Sequence, residues 1–132
     1  MKMIRAYTMG GNDMEWRRQI EELYQKSGNK ISFVHPPIYK LGLVDKEFTE
    51  WNKQQILKSD IIILNVEKID ETNIYEIGII DAINTFGNKK IFVIGVGDTI
   101  ADLKPHIKSV IFHHELDYED AIDYIKNFLS ID

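Results

Sequence analysis

The sequence predicts an α/β protein in which helices cover both faces of a five-stranded parallel sheet. Five short apolar segments alternate with segments whose apolar residues recur at helical spacing. Residues 61–66 (Ile-Ile-Ile-Leu-Asn-Val) form an almost unbroken apolar run rich in β-branched residues, which is typical of a strand covered on both faces. No repeat, low-complexity tract or linker interrupts the 132 residues. We therefore expect a single domain over residues 1–132.

The first strand and helix lie at the N-terminal end. Residues 3–8 are predicted as the strand, and residues 9–11 (Met-Gly-Gly) as the turn after it. Asn12 or Asp13 can cap the next helix by accepting a free backbone N–H, and residues 27–29 (Ser-Gly-Asn) end it. The buried stripe of this helix is expected to consist of Trp16, Ile20, Leu23 and Tyr24.

The second strand ends at a pair of prolines. Residues 30–35 are predicted as this strand, and Pro36 and Pro37 stop it because proline has no N–H to donate to a neighbouring strand. After a loop, Asp45 is expected to cap a second helix that ends near Ser59. The inward-facing residues of this helix are predicted to be Phe48, Trp51, Gln55 and Ile56.

A third helix follows the apolar strand at 61–66. Gly87 is a typical stop for it. Glu76 falls in its predicted first turn, and Asp70 lies in the loop before it. Two carboxyl groups are thus expected near the C-terminal end of the strand. The apolar positions at helical spacing are Ile74, Ile77, Ile80, Ala82 and Ile83.

The last part of the chain supplies two more strands and two more helices. Residues 90–95 and 109–113 are predicted as the fourth and fifth strands. Between them a short helix at 99–104 is expected to be halted by Pro105. Asp117 caps the last helix. Its inward-facing residues are predicted to be Tyr118, Ala121, Ile122, Ile125 and Phe128.

The order of the strands decides where a ligand would bind. We expect the flavodoxin-like order 2-1-3-4-5, with three layers in an α/β/α arrangement. Ligands of such sheets bind beyond the C-terminal ends of the strands, where the strand order reverses. That point lies between the first and third strands, whose C-terminal turns are residues 7–11 and 66–70. The topology alone therefore predicts Glu76 and Asp70 at a ligand-binding crevice.

The composition excludes several classes of protein. The chain has no cysteine, which excludes disulfides and thiolate metal sites. Its formal net charge is −5 with acidic and basic residues interspersed, so no basic face indicates a nucleic-acid polymer as partner. No apolar run approaches the roughly 20 residues that span a bilayer, and no signal peptide is evident. We expect a soluble cytoplasmic protein with no membrane partner.

Two carboxylates beside one cleft can act as nucleophile and acid/base partner in the cleavage of a glycosidic bond. The transition state resembles an oxocarbenium ion, which a nearby anion stabilises and can trap covalently. A furanose without a 2′-hydroxyl reaches that cation more readily. A carboxylate in the first turn of a helix is held ionised by the exposed N–H groups, which suits a nucleophile. The alternative is that Glu76 is a helix-start charge and Asp70 a solvated loop charge.

Two glycine-containing turns hold further candidate contacts. Gly10 and Gly11 can let the backbone approach a ligand, although a turn that needs positive φ explains them equally well. No G-x-G-x-x-G follows the first strand, so a dinucleotide fingerprint is absent. Asp98 lies in the turn after the fourth strand, either as a contact at the rim of the site or as an ordinary turn residue.

The histidines and tryptophans do not indicate a metal or a stacked base. His113 and His114 are adjacent on a predicted strand and so point to opposite faces. The other two histidines have no carboxylate or cysteine at metal-like spacing. Helical stripes place Trp16 and Trp51 in the core. We predict neither a metal nor a cofactor.

Short motifs in a fixed order carry a resemblance to a known family. Together with the acidic start of the last helix, they make nearly all of the chain similar to the nucleoside 2-deoxyribosyltransferases and their N-glycosidase relatives. The motifs are Arg5-Ala-Tyr-Thr-Met-Gly-Gly, Trp16-Arg17, Val34-His-Pro-Pro, Ser59-Asp60, Tyr75-Glu-Ile-Gly78, Lys89-Lys-Ile-Phe-Val-Ile and Lys104-Pro-His-Ile.

The resemblance implies roles for three residues. Glu76 matches the nucleophile of the family, which attacks the anomeric carbon and holds the deoxyribosyl group. Tyr7 matches a tyrosine that orients this glutamate, and the alternative for Tyr7 is a core residue at a strand end. Asp70 matches an aspartate that the transferases keep near the sugar. Relatives that cleave nucleoside 5′-monophosphates tend to carry serine there, so Asp70 favours a nucleoside.

One position departs from the family pattern. Members usually have an aspartate eight residues before the Asp of the Ser-Asp pair, where it helps to protonate the leaving base, and here that position is Asn52. Asparagine can hydrogen-bond a base but cannot deliver a proton. Asp45, Glu47 or Glu50 can substitute if the helix register differs; otherwise activity is slow, limited to bases that leave easily, or lost. The candidate substrate-binding residues are Met9, Gly10, Gly11, Asn52 and Asp98.

The resemblance implies an enzyme of nucleotide salvage that cleaves the N-glycosidic bond of a 2′-deoxynucleoside through a covalent deoxyribosyl–Glu76 intermediate, with transfer to another nucleobase or to water. One alternative is a nucleoside 5′-monophosphate N-glycosidase that holds phosphate on backbone N–H groups near Gly10 or Gly97. Another is a catalytically silent sensor or binding protein, motivated by Asn52. The implied partners are a nucleoside or nucleotide, a free nucleobase and further copies of this chain. The contact between copies is expected at Tyr39, Leu41 and Leu43.

Overall fold

A computed structural model describes residues 3–11, 14–25, 30–36 and 45–128. Strands and helices alternate along these residues, as the sequence pattern predicts. The strands are β1 (Ile4–Met9), β2 (Ile31–Val34), β3 (Ile61–Asn65), β4 (Phe92–Val96) and β5 (Ile111–Glu115). The helices are α1 (Glu15–Gln25), α2 (Asp45–Lys58), α3 (Glu71–Phe86), α4 (Pro105–Lys108) and α5 (Tyr118–Phe128), with a 3₁₀ turn at Ile100–Asp102.

The strands form one sheet in the order β2-β1-β3-β4-β5. Every pairing that the structure describes between them is parallel. This confirms the predicted fold class, a five-stranded parallel sheet of order 2-1-3-4-5 between helices. The strand order reverses between β1 and β3, where Met9 pairs with Leu64 close to both C-terminal ends.

Apolar side chains form one core on each face of the sheet. Ile61 and Ile63 of β3 face one core, Ile62 and Leu64 face the other, and all four are at most 1% exposed. Helices α1 and α5 cover the first face, and α2, α3 and α4 cover the second. Because both faces of β3 are buried, the strand carries the continuous apolar pattern of a parallel sheet rather than an alternating one.

The elements after β4 differ in detail from the predicted ones. The expected helix at 99–104 is only a 3₁₀ turn, and Pro105 begins α4 instead of halting a helix. Proline suits a first helical position because its missing N–H has no partner there. Strand β5 runs over Ile111–Glu115 rather than 109–113. Asp117 caps α5 as predicted, since its Oδ1 accepts the Asp120 N–H at 2.9 Å.

Helices α1, α2 and α3 bury some residues other than the predicted ones. Arg17 of α1 is buried. Trp51 is 39% exposed, so the prediction that it packs in the core is wrong, and the adjacent Asn52 is buried instead. Ile74 and Ala82 are exposed, because the buried face of α3 contains Asn73 and Glu76 and does not follow the apolar residues alone. The residues that α3 buries are Asn73, Glu76, Ile77 and Ile80.

Some expectations fall outside the described residues. They concern the cap at Asn12 or Asp13, the helix end at 27–29, the second proline at Pro37, and the contact surface at Tyr39, Leu41 and Leu43. Over the four described ranges, no helix is both long enough and apolar enough to cross a membrane.

Candidate active site

A cavity of about 220 Å³ lies between α2 and the first half of α3. The cavity belongs to the sheet face on which α2 and α3 pack. Asn73 links its wall residue Glu76 to Gly11, in the turn after β1, which is one of the two strands between which the strand order reverses. Two of its lining residues, Asn52 and Glu76, are buried polar side chains. Among the described residues, the lining consists of Thr49, Asn52, Lys53, Glu71, Thr72, Tyr75 and Glu76.

Glu76 is only 3% exposed. Its Oε1 accepts a hydrogen bond from Asn73 Nδ2 at 3.2 Å. Its Oε2 is buried and has no hydrogen-bond partner among the described residues. Buried carboxylate oxygens are normally satisfied, so an unpaired one on a cavity wall is a candidate for contact with a ligand.

The position of Glu76 in its helix differs from the prediction. Helix α3 begins at Glu71 with Asp70 as its N-cap, so Glu76 lies in the second turn and not in the first. The free N–H groups of the helix start therefore do not hold it ionised. The pKa of Glu76 is raised to about 7. Burial is the largest cause, the Asn73 hydrogen bond opposes it, the Asp70 charge raises the pKa and Arg17 lowers it. Glu76 therefore titrates near neutral pH.

Asp70 acts as the cap of α3. Its Oδ1 accepts the Asn73 N–H at 2.9 Å, and its own N–H donates to Asn73 Oδ1 at 3.0 Å, which completes a capping box. The Asp70 side chain is exposed and does not line the cavity. It reaches Glu76 through its charge, which disfavours ionisation of the buried carboxyl.

Tyr7 is buried in the same core as α3, at 1% exposure. Burial raises the pKa of its phenol, the charge of Glu76 raises it further, and Arg17 lowers it. The structure therefore brings Tyr7 within electrostatic reach of Glu76. Tyr7 is therefore a core residue, and the structure shows an electrostatic interaction with Glu76 but no hydrogen bond to it among the described contacts.

Asn52 reaches the cavity from α2. It is 3% exposed, and its Oδ1 is buried without a hydrogen-bond partner among the described residues. The cavity thus has two buried polar groups, Asn52 from one helix and Glu76 from the other, each with an unpaired oxygen. An asparagine amide can accept or donate a hydrogen bond, so Asn52 can orient a polar ligand without supplying a proton.

Lys53 carries the positive charge in the cavity lining. Its Nζ lies 2.7 Å from Glu50 Oε1. The hydrogen bond with Glu50 is the main cause that raises the pKa of Lys53, and Tyr75 contributes to the same shift. The ammonium group is therefore ion-paired at the mouth of the cavity, next to the exposed Tyr75 ring.

The turn after β1 contacts the start of α3. Met9 is a buried core residue. Gly10 and Gly11 have φ values of 138° and 67°, and a Cβ on Gly10 would lie 2.9 Å from the Cβ of Asn65. Gly11 donates its N–H to Asn73 Oδ1 at 3.2 Å. Backbone conformation and close packing explain both glycines, and none of these three residues lines the cavity.

Asp98 lies apart from the cavity. It is exposed in the turn after β4, and its N–H donates to Glu67 Oε1 at 3.4 Å. The preceding Gly97 donates its N–H to Glu115 O at 3.0 Å. Of the sequence candidates, the structure joins Glu76 and Asn52 at one cavity and puts Tyr7 and Asp70 within electrostatic reach of Glu76.

The histidines bond to separate groups. His113 stacks on Tyr124 and pairs with Glu115, while His114 bonds to the Gly97 carbonyl. His35 lies 2.7 Å from Thr8 Oγ1. In the part of the chain that the structure describes, no cluster of three or more His, Cys, Asp or Glu side chains could hold a metal ion.

Sequence reasoning missed Asn73 and Tyr75 as site residues. Asn73 lies three residues after Asp70, at the position where a capping box takes its second side chain, so the box motif was the available signal. Tyr75 precedes Glu76 in the family-like motif but is exposed on the cavity wall, which periodicity alone does not reveal.

Comparison with protein-family models and with curated protein sequences found no match. The fold, the cavity and the chemistry of its lining remain as the observations that bear on function.

Proposed function

We propose that this protein cleaves the N-glycosidic bond of a 2′-deoxynucleoside, with Glu76 as the nucleophile and a second nucleobase or water as the acceptor. The observation that carries the proposal is the buried Glu76 carboxyl with one oxygen unpaired on the cavity wall. The reversal of strand order beside the cavity supports it, since doubly wound sheets bind ligands there.

The reaction consists of two displacements at C1′ of the pentose. In the first, a carboxylate oxygen of Glu76 bonds to C1′ while the C1′–N bond breaks, and the bonding electrons leave with the nucleobase, which takes up a proton. In the second, a nitrogen of another base or a water oxygen bonds to C1′, and the ester bond breaks to restore the carboxylate. The acceptor, either the N–H group of the second base or the water molecule, releases a proton in this step.

The raised pKa of Glu76 gives the reaction a pH dependence. Attack requires the carboxylate, and the pKa of Glu76 is about 7. Base release should therefore rise about tenfold per pH unit below that value and level off above it. The Tyr7 phenol stays protonated over this range because its pKa is raised, so it adds no second negative charge near the carboxylate.

The polar contacts favour a nucleoside over its 5′-monophosphate. Phosphate would be held by backbone N–H groups near Gly10 or Gly97, and two of these, the N–H groups of Gly11 and Gly97, are already donated to Asn73 and Glu115. The cavity wall carries two carboxyl groups, Glu71 and Glu76. A doubly charged phosphate would meet their charge, whereas hydroxyl and amine donors match the unpaired oxygens.

The decisive experiment is to incubate the protein with deoxynucleosides, with and without a second free base, and to separate the products. We expect base release by the wild type and at least about a 10³-fold loss in Glu76→Gln, because removal of a covalent nucleophile costs at least that much. Asp81→Asn, an exposed carboxyl of the same helix, serves as the matched control. No release by the wild type, or equal release by Glu76→Gln, would contradict the proposal.

A binding protein without turnover is the second candidate, and Asn52 favours it. A leaving base needs a proton, and the Asn52 amide beside Glu76 cannot supply one. In that case deoxynucleosides bind in the cavity without base release, and Asn52→Asp restores turnover. Isothermal titration alongside the product assay separates the two candidates.

We also propose that the protein forms a homo-oligomer, as the family resemblance implies. Exposed apolar side chains on α3, Ile74, Tyr75 and Phe86, offer a surface for such a contact. Sedimentation velocity over a range of concentrations tests it, and a monomer throughout the range would contradict it.

A further inference from the structure

Asn73 forms three side-chain hydrogen bonds that link separate parts of the site. Its Oδ1 accepts the Gly11 N–H at 3.2 Å and the Asp70 N–H at 3.0 Å. Its Nδ2 donates to Glu76 Oε1 at 3.2 Å. The residue is 5% exposed. One buried amide therefore connects the turn after β1, the cap of α3 and the candidate nucleophile.

The orientation of this amide follows from its partners. Two backbone N–H groups point at one side of it, and backbone N–H groups can only donate. The oxygen must face them, which turns the NH₂ group toward Glu76. The reverse orientation would oppose donors to donors and set the amide oxygen against the carboxyl group.

From this geometry we infer that Asn73 is the positioning residue of the site: it holds Oε1 of Glu76 by a fixed hydrogen bond and leaves Oε2 as the oxygen that bonds to C1′. The second half of this inference depends on the proposed function. Oε2 is the carboxyl oxygen without a partner among the described residues. In the attack, Oε2 bonds to C1′ as the C1′–N bond breaks, while Oε1 keeps the Asn73 hydrogen bond as the carbonyl oxygen of the ester.

The Asn73 amide also affects the ionisation of the Glu76 carboxyl. A donor to the carboxylate favours its ionised form and so opposes the effect of burial. Within the described ranges, the other groups that act on Glu76 electrostatically are Asp70 at the start of α3, Arg17 of α1 and Tyr7 of β1. Two more charged residues, Glu71 and Lys53, share the cavity wall.

Asn73→Asp separates positioning from folding. An aspartate can still accept the Gly11 and Asp70 N–H groups, so the support of the helix start is kept. It cannot donate to Glu76, and it adds a second carboxylate beside it. We expect the titration midpoint of the Glu76 carboxyl carbon, followed by NMR with ¹³C-labelled glutamate, to rise by at least about one pH unit. In the product assay kcat should fall at least about tenfold at neutral pH, with KM within about threefold.

The matched control is Asn84→Asp. Asn84 lies on the same helix and makes the same kind of paired contact, accepting the Ile91 N–H at 2.7 Å and donating to Ile91 O at 2.9 Å. The chemical change is identical, but the site is not involved. The titration midpoint of Glu76 should stay within about 0.2 units of the wild-type value, since additivity holds for distant sites.

A second measurement needs no change at Asn73. In wild-type protein the side-chain ¹H–¹⁵N resonances of Asn73 should shift with the same midpoint as Glu76, and this shift should vanish in Glu76→Gln. An unchanged Glu76 midpoint in Asn73→Asp, or Asn73 resonances that do not follow Glu76, would overturn the inference even if base release were found. If both NMR results are as expected but wild-type protein releases no base, the proposed function fails and the Asn73–Glu76 contact stands.

Discussion

Two buried polar clusters lie near the C-terminal end of β1, on opposite faces of the sheet. On one face Arg17, 1% exposed, donates Nε to Thr8 Oγ1 at 3.0 Å and a terminal N–H to Gly11 O at 3.1 Å. Its guanidinium also lies 4.6 Å from the centroid of the Trp16 ring. On the other face Glu76 and Asn52 each have a buried oxygen with no partner among the described residues.

The difference separates a polar group that stabilises the fold from one that is available for chemistry. A buried charge with hydrogen bonds and a stacked ring repays part of its desolvation cost. A buried carboxyl with one unpaired oxygen does not repay its desolvation cost, so its pKa rises and it binds a proton more readily. Proteins tolerate such groups chiefly where they serve a function.

The largest effect on stability is expected at Arg17, on the face where the buried polar group is hydrogen-bonded. Arg17→Met keeps most of the side-chain volume but removes the hydrogen bonds from the guanidinium to Thr8 Oγ1 and Gly11 O. We expect the free energy of unfolding to fall by about 4 kcal/mol, since a hydrogen bond from a charged group contributes about 1.5–3 kcal/mol. Urea denaturation measures it. Arg18→Met, at an exposed position on the same helix, should change stability by less than about 0.5 kcal/mol. Equal effects of Arg17→Met and Arg18→Met would show that the buried hydrogen bonds of Arg17 do not stabilise the fold.

Glu76→Gln should increase the free energy of unfolding, whereas Arg17→Met should decrease it. The pKa of Glu76 is raised from 4.5 to about 7, so the folded protein holds a proton in this interval that the unfolded chain releases. The contribution of the carboxyl is most favourable below pH 4.5 and is lost as the pH rises to about 7. Glutamine carries no charge, so the variant should be more stable than wild type by about 3 kcal/mol near pH 8, with little difference near pH 4.

Thermal or urea unfolding at the two pH values measures this gain. Asp81→Asn, an exposed carboxyl of the same helix, controls for the loss of one negative charge. A Glu76→Gln gain that does not change with pH would show that Glu76 is not a desolvated carboxyl, and the comparison between the two faces would then lose its basis.

Periodicity and topology rules predicted the fold, but they did not identify the polar side chains that are buried. β3 was found because an unbroken β-branched run has few other structures available to it. Arg17 and Asn52 were assigned to no buried stripe, because a stripe is read from apolar residues. Trp51 was assigned to the core for the same reason, and it is exposed.

The error at the start of α3 had a different origin. The helix was predicted to begin near Ile74, because the apolar repeat begins there. It begins at Glu71, because Asp70 and Asn73 form a capping box whose residues are all polar. This shift of one turn moves Glu76 away from the free N–H groups and reverses the expected direction of its pKa. The three-residue spacing of Asp70 and Asn73 was visible in the sequence, but a hydrophobic pattern does not register it.

The smallest effect on stability is expected at Asp70, the cap of α3. Two variants of this residue distinguish helix capping from the effect of its charge on Glu76. Asparagine caps a helix about as well as aspartate, so Asp70→Asn should leave stability within about 0.5 kcal/mol, while alanine should cost about 1 kcal/mol. Both variants remove the charge that raises the pKa of Glu76, so both should lower the titration midpoint of Glu76 in ¹³C NMR. If only the alanine variant lowered the midpoint, the effect would come from the helix start, and the electrostatic link between the cap and the unpaired carboxyl would be disproved.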